Sequence, residues 1–116
     1  MILLEKVFEV KENLKGDEIN AIEVRLRYRR DVGYSYWDGH YQKRGYLLAI
    51  SPTERTEHES EYGNYTTVSS IMGSGGYIML REVNRKSQKV ERELLEELTD
   101  DKLKEYINKY LPAYIV

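Results

Sequence analysis

The sequence predicts an α+β protein, in which an antiparallel meander of about four or five strands precedes one long helix packed on the sheet and a short C-terminal helix. Apolar and polar residues alternate between residues 20 and 30, which is typical of a strand with one buried face. Turn residues separate further short apolar runs up to residue 71, and from residue 78 the apolar residues fall at helical spacings. A chain of 116 residues supplies one domain, with the sheet at about 3–71 and the helices at about 75–98 and 100–111.

Residues 2–14 fit either a helix or a strand. The apolar residues at positions 3, 7, 10 and 14 have helical spacing, whereas Phe8 and Val10 alternate with charged neighbours as in a strand. We favour a strand that ends near Asn13. A turn over residues 13–17 should follow, because Gly16 can take the positive φ that a tight reversal needs.

The next strand, at residues 20–30, has one apolar and one basic face. The apolar face carries Ile22, Val24, Leu26 and Tyr28, and the other carries Glu23, Arg25, Arg27 and Arg29. After it, Gly33 and the Asp38-Gly39 pair bracket a short aromatic strand that ends in a hairpin turn.

A strand from Arg44 to Pro52 should come next, and we expect proline to end its ladder because it has no N–H to donate. Residues 53–61 are almost wholly polar and predict a protruding connection. The segment from Tyr62 to Ile71 is rich in Tyr, Thr and Val, which suits a half-exposed strand.

The glycine-rich segment 73–76 ends the sheet, and Ser74 is a candidate N-cap for the long helix. Its apolar positions are Ile78, Met79, Val83, Val90, Leu94 and Leu98. A polar gap at Lys86 and Ser87 leaves open whether this helix is continuous. Thr99 and Asp100 form a second N-cap signal, and Pro112 stops the last helix.

Composition excludes several classes of protein. With 41% hydrophobic and 33% charged residues the chain can fold and stay soluble. It has no cysteine, so disulfides, thiol nucleophiles and thiolate zinc sites are excluded. The apolar run Ile2–Leu4 is cut at once by charged residues, so we expect neither a leader peptide nor a membrane span, and we expect a cytoplasmic protein.

Catalytic chemistry has few candidate residues. His40 lies in a turn, and His58 lies among Glu54, Glu57, Glu59 and Glu61, a cluster that fits a solvated hairpin better than a metal site. The segment 73–76 could cradle a phosphate, but no Lys-Ser or Lys-Thr follows it, and a capping loop is favoured. If a phosphate bound there, Gly76→Ala should weaken binding without unfolding the domain. We therefore expect a non-enzymatic protein without a cofactor or metal.

Charge is segregated along the chain although the formal net charge is only −2. Residues 23–46 and 81–92 each sum to +3, whereas residues 54–61 sum to −3 and residues 93–105 to −4. Such segregation favours a surface that steers a partner.

Basic and aromatic residues interleave in the first positive block and recur every four residues in the second. The predicted binding surface combines the arginines of one strand face and nearby aromatics with a row on one face of the long helix: Arg25, Arg27, Arg29, Tyr34, Tyr36, Trp37, Arg44, Arg81, Arg85 and Lys89. The alternative is an ordinary solvent face in which cross-strand pairing with Glu23 neutralises the arginines. A second candidate surface is acidic and comprises Glu54, Glu57, Glu59 and Glu61.

Three segments, Gly33–Gly39, Arg44–Arg55 and Arg85–Ser87, give the chain a resemblance to small proteins encoded on conjugative and phage-like elements of gut Firmicutes. The resemblance covers roughly residues 20–92. It implies a setting in which small proteins serve DNA transfer or block host defence, including CRISPR and restriction enzymes.

Two functions fit these observations. The first is a protein-binding inhibitor of a host defence nuclease, of the anti-CRISPR or antirestriction type, whose acidic segments Glu54–Glu61 and Glu93–Glu105 compete with nucleic acid for a basic groove. The alternative is a nucleic-acid-binding accessory protein that uses the basic, tyrosine-rich face. Net charge favours the first function, because a nucleic-acid binder is usually basic.

Overall fold

The computed structural model describes residues 2–31, 33–35, 37, 39–42, 44–71 and 74–116. Its strands are β1 (Ile2–Glu9), β2 (Glu12–Asn13), β3 (Ala21–Arg29), β4 (Gly33–Ser35), β5 (His40–Gln42), β6 (Gly45–Ser60), β7 (Gly63–Ser70), β8 (Gly76–Glu82) and β9 (Tyr114–Ile115). The helices are α1 (Gln88–Glu97) and α2 (Asp100–Tyr110).

The main sheet has five antiparallel strands in the order β1-β3-β6-β7, with β8 also beside β6. Two short two-stranded sheets, β2-β9 and β4-β5, accompany it. The predicted α+β class and antiparallel sheet are therefore confirmed. The first segment is a strand, as favoured, and Gly16 has a φ of 76° in the turn after it.

Strand β3 lies at the centre of the core. Its apolar side chains Ile22, Val24 and Leu26 are completely buried, as their period-two spacing predicted. They belong to one cluster with Leu94 of α1 and Ile107 of α2, so both helices cover the same face of the sheet. The opposite face, called the outer face below, carries the charged residues of β3.

Strand β6 is longer than predicted, because it continues through Pro52 to Ser60 instead of ending at the proline. On the side of β6 that faces away from β3, the paired strand changes along the length of β6. β8 pairs with it up to Ile50, and β7 pairs with it from Thr53. Pro52 falls between these partners, where the described residues pair with β6 only through β3, and such a position tolerates a residue without an N–H.

The prediction of one long helix over residues 75–98 is wrong. Residues 76–82 form β8, which pairs with the first half of β6, and α1 begins only after Ser87. The polar gap at Lys86 and Ser87 is therefore the start of the helix, where the Ser87 side chain accepts a hydrogen bond from Val90 N at 3.4 Å. Ser74, the predicted cap, instead donates a hydrogen bond from its hydroxyl to the Ile71 carbonyl, at 2.6 Å.

The last helix agrees closely with its prediction. Thr99 caps α2 by accepting a hydrogen bond from Lys102 N at 3.3 Å, and the helix ends just before Leu111. Leu103 and Ile107 on its inner side are completely buried.

Candidate functional site

The three arginines predicted to form one row on β3 do not have equivalent surroundings. Arg25 is paired with the almost buried Glu23 and lies 3.8 Å, Nε to Oε2, from Glu5. Glu23 also forms an ion pair with Arg55, in which Arg55 Nη2 lies 2.9 Å from Glu23 Oε2. Arg25 is therefore neutralised within the outer face by a pairing inside β3, and the cross-strand pairing with Glu23 that the sequence offered as the alternative is made by Arg55.

Arg27 and Arg29 lie further along the same face. Arg27 is exposed, and the Arg29 guanidinium lies 5.7 Å from the ring centroid of Tyr77 in β8. Together with buried Leu47 these side chains line a groove of about 320 Å³. This part of the predicted surface keeps its cationic and aromatic character.

The row of basic residues predicted on one helix face does not exist. Arg81 lies in β8, Arg85 in the connection after it and Lys89 in α1. Arg81 reaches the helical side of the sheet, where its Nη2 is 2.8 Å from Glu97 Oε1. Because β8 replaces the start of the helix, these residues have no common helical face.

Trp37 is a packing residue. Its ring stacks on Tyr110 of α2, with centroids 5.1 Å apart and planes 13° apart, and it covers Gly76 of β8. Tyr34 lies in strand β4, whereas Tyr36 lies outside the described residues.

Strand pairing brings together a group of cations that the sequence placed in separate blocks. We call it the basic end, and it consists of Arg30, Arg44, Arg85 and Lys86, all exposed. The pairing of Arg29 with Gly45 brings the end of β3 beside the start of β6, and Val83 N donates to the Arg44 carbonyl at 3.1 Å. The four cations line a groove of about 450 Å³ around Tyr28.

The acidic residues lie at the opposite end of β6. The second half of β6 and β7 form a hairpin, residues 53–70, which we call the acidic hairpin. Beyond Thr53 this hairpin has no pairing with β3, and every residue of β7 is exposed. The polar segment 53–61 therefore protrudes only in part: Thr53 is buried beside Ala21 and Arg55 is bonded to Asn20, and the exposed part that follows is a strand and not an irregular connection.

The four predicted acidic residues are distributed over this hairpin. Glu57 and Glu59 pair with Thr66 and Asn64 on one face, and Glu61 lies in the turn. Glu54 faces the other side, where the carboxylate of Glu18, with some contribution from burial, raises its pKa above the usual range. The glutamates thus surround the hairpin instead of converging.

His58 is engaged within the hairpin. Its ring stacks on Tyr65 at 4.8 Å between centroids, and its Nε2 lies 3.0 Å from Thr67 Oγ1. Within the described ranges, no group of three His, Asp or Glu side chains could hold a metal ion.

The glycine-rich segment does not form a phosphate cradle at a helix N-terminus. Gly76 is a strand residue paired with Ile50, and no helix begins at this segment. Gly73 lies outside the described residues.

A partly buried polar contact joins the C-terminal strand to the first turn. The Tyr114 hydroxyl donates to the Asp17 carboxylate, and burial together with this bond raises the pKa of Tyr114 to about 12. Burial opposes ionisation of Asp17, but hydrogen bonds from Tyr114, Asn13 and the Ile19 amide hold its pKa below the usual value. The contact stabilises the fold, and the sequence carries no local signal for it because the two residues are far apart.

No protein-family model, curated protein or solved structure matches the chain. The resemblance to mobile-element proteins therefore gains no support from these comparisons, and the candidate sites depend on geometry alone. No helix in the described part of the chain is long and apolar enough to cross a membrane.

Proposed function

We propose that the protein acts by binding and that the acidic hairpin contacts a protein partner. The observation that carries this proposal is the projection of the hairpin beyond the core, with exposed carboxylates on it and an exposed strand β7 at its outer edge. An edge strand offers backbone N–H and C=O groups to a partner, and acidic side chains beside it select a basic surface.

The hairpin and the acidic segment Glu93–Glu105 differ in how many of their carboxylates form ion pairs. On the helices, Glu97 pairs with Arg81, Asp100 with Lys6 and Glu105 with Lys102. The glutamates at hairpin positions 57, 59 and 61 form no ion pair with any residue that the structure describes. Glu93, Glu96 and Asp101 on the helices form no ion pair among the described residues either, so the hairpin is the better candidate because its unpaired carboxylates lie beside an exposed edge strand.

The composition of the edge strand fits contact with a protein. Residues 62–80 contain no charged side chain, and Tyr62, Tyr65 and Val68 are exposed by 98%, 53% and 46%. Edge strands that must avoid other proteins usually carry lysine, proline or a bulge. β7 contains neither lysine nor proline, so it is suited to receiving a partner backbone.

The partner we propose is a nuclease of host defence, whose basic nucleic-acid groove the hairpin occupies. Glu57 and Glu59 point to the same side of β6, roughly 6.6 Å apart, and so present a row of negative charge to such a groove. The basic end lies at the other end of β6, and the protein is 47 Å long. This polarity should orient the hairpin toward a basic partner on approach.

The test is capture from a lysate of the source organism with the wild-type protein and with E57Q/E59Q/E61Q. We expect the wild type to retain a nuclease subunit after the lysate is treated with nuclease, and the hairpin variant to lose it. The matched control is E93Q/E96Q/E105Q, which removes the same charge from the exposed sides of the helices and should retain the subunit.

The captured nuclease is then assayed for DNA binding with and without the purified protein. Wild type should reduce DNA binding and the hairpin variant should not. Equal capture by the wild type and the hairpin variant, or capture that disappears once nucleic acid is digested, would contradict the proposal.

A further inference from the structure

We propose that the basic end binds the phosphate backbone of a single-stranded nucleic acid. This site is separate from the acidic hairpin, because it lies at the start of β6 and the hairpin lies at its end. Its residues come from three strand ends, with Arg30 after β3, Arg44 before β6 and Arg85 and Lys86 after β8.

The cations of the basic end differ from three arginines elsewhere in the protein, each of which is held by a carboxylate, whereas Arg27, Arg29 and Arg92 are likewise unpaired among the described residues. Arg25 and Arg55 pair with Glu23, and Arg81 pairs with Glu97. None of the four cations of the basic end forms an ion pair with a carboxylate among the described residues. Like charges held side by side at a strand end repel one another, and a polyanion would remove that repulsion.

The nearby carboxylates do not cancel this charge. Asp31 lines the groove, Glu82 lies opposite Gly45, and Glu91 accepts a hydrogen bond from Tyr46, whose ring packs on Tyr28. These three carboxylates stand against the four cations and against Arg27 and Arg29 on the adjoining outer face. The balance at this end is therefore strongly positive, although the whole chain carries a formal charge of −2.

The site also has a shape that suits a chain of nucleotides. The groove of about 450 Å³ and the outer-face groove of about 320 Å³ share Tyr28, Arg30 and Asp31, so they form neighbouring depressions on either side of this segment. Each has a volume typical of sites for small organic ligands. Two adjoining sites suit successive nucleotides better than a single small anion.

Tyrosine rings line both grooves. Lys86 Nζ lies 5.9 Å from the ring centroid of Tyr28, and the half-exposed ring of Tyr77 lies under Arg29 in the second groove. Aromatic rings beside a cationic track are the means by which proteins bind single strands, with phosphates on the cations and bases stacked on the rings. Regular duplex would keep its bases inside and could not use the Tyr77 ring.

The test measures anisotropy of a fluorescent oligothymidylate of about 12 nucleotides at about 50 and about 200 mM salt. If the protein makes four phosphate contacts, raising the salt over this interval should weaken binding about 50-fold. Each contact adds roughly −0.7 to the slope of log affinity against log salt. In R30Q/R44Q/R85Q one of the four cations remains. The salt effect should then shrink to about threefold, with affinity at the lower salt reduced by at least about tenfold.

Two further variants distinguish binding at the basic end from attraction by positive charge elsewhere on the surface. K102Q/K104Q/K109Q removes the same charge from α2 and should bind like the wild type. Y77L should weaken binding several-fold without changing the salt slope, because it removes a stacking ring and no cation.

Three results would overturn the proposal: no binding at the lower salt, wild-type affinity in the R30Q/R44Q/R85Q variant, or an equal loss in the α2 control. Polyglutamate serves as a competitor in the same assay. If it displaced the oligonucleotide as effectively as inorganic polyphosphate, the basic end would be a site for an acidic protein, which would also overturn the nucleic-acid proposal. Duplex that bound as tightly as the single strand would contradict the role of the rings.

Discussion

Replacing Gly76 with alanine forces a collision with the protein's single tryptophan. A Cβ at position 76 would lie 2.8 Å from Cε3 of Trp37 and closer still to Cδ2 and Cε2. Carbon atoms pack at about 3.5–4.0 Å, so the indole would have to move by roughly 1 Å or more. The ring cannot move freely, because it lies flat against Tyr110.

Two contributions determine how far Gly76→Ala lowers the free energy of unfolding. Forcing an extra carbon into a packed contact destabilises a fold by about 1–3 kcal/mol, and loss of an aromatic stack removes about 0.5–1.5 kcal/mol. The indole is only partly buried and can shift toward solvent, so we expect Gly76→Ala to lower the free energy of unfolding by about 1–3 kcal/mol.

Urea unfolding followed by circular dichroism measures the loss of stability, and the emission of Trp37 should shift to the red in the native state. A double-mutant cycle with Trp37→Ala isolates the collision, because Gly76→Ala should be nearly neutral once the indole is absent. The reasoning is refuted if Gly76→Ala leaves both the emission maximum and the urea midpoint unchanged, or if its effect is the same with and without the indole.

Three other outcomes follow from the packing. Burial and its bond to Asp17 raise the pKa of Tyr114 to about 12, above its ordinary value, so the stability that this hydroxyl provides is complete below about pH 10 and lost as pH rises through 12. Urea midpoints between these pH values should fall less in Tyr114→Phe. Ile107→Ala should destabilise the protein by about 2–5 kcal/mol, whereas Leu95→Ala at an exposed position of α1 should change its melting little. Replacing residues 57–66 with Asn-Gly joins the paired positions 56 and 67 in a tight turn, and calorimetry should show that the core loses about 1 kcal/mol or less.

Local signals determined which elements the sequence could predict. The last helix was predicted well because Thr99 and Pro112 mark its ends within the segment itself. Strand β3 was predicted well because its alternation is unbroken over its whole length. Both depend on neighbours in the chain, and no distant contact overrides them.

Strand β8 was missed because a distant contact decided its structure. Ile78, Met79 and Val83 have helical spacing, yet residues 76–82 pair with β6 some thirty positions earlier, for example Met79 with Leu47. Tyr and Ile favour strands, and the pairing with β6 prevails over the helical pattern. The N-cap at Ser87 was visible only as an unexplained polar gap.

The candidate sites likewise combine features that local sequence predicts with features that depend on distant contacts. The acidic hairpin was predictable in position, because polar composition predicts protrusion, but its pairing with β7 was not. The basic end depends on register, since Arg30 and Arg44 become neighbours only when β3 and β6 pair in the observed alignment. Arg25 has the same residue type and alternation as Arg27, and the positions of Glu23 and Glu5 decide that it is neutralised.

The two proposed surfaces are connected by the partner change along β6. Its first half lies between β3 and β8, and this enclosed part supports the basic end on three strand ends. Its second half pairs with β7, and after Arg55, which Asn20 and Glu23 still hold, the acidic hairpin projects from the core instead of contributing to it. Opposite charges therefore sit at the two ends of one strand, too far apart to neutralise each other. Charge separation of this kind gives no stability to the fold, and binding of oppositely charged partners at the two ends is the function that it favours.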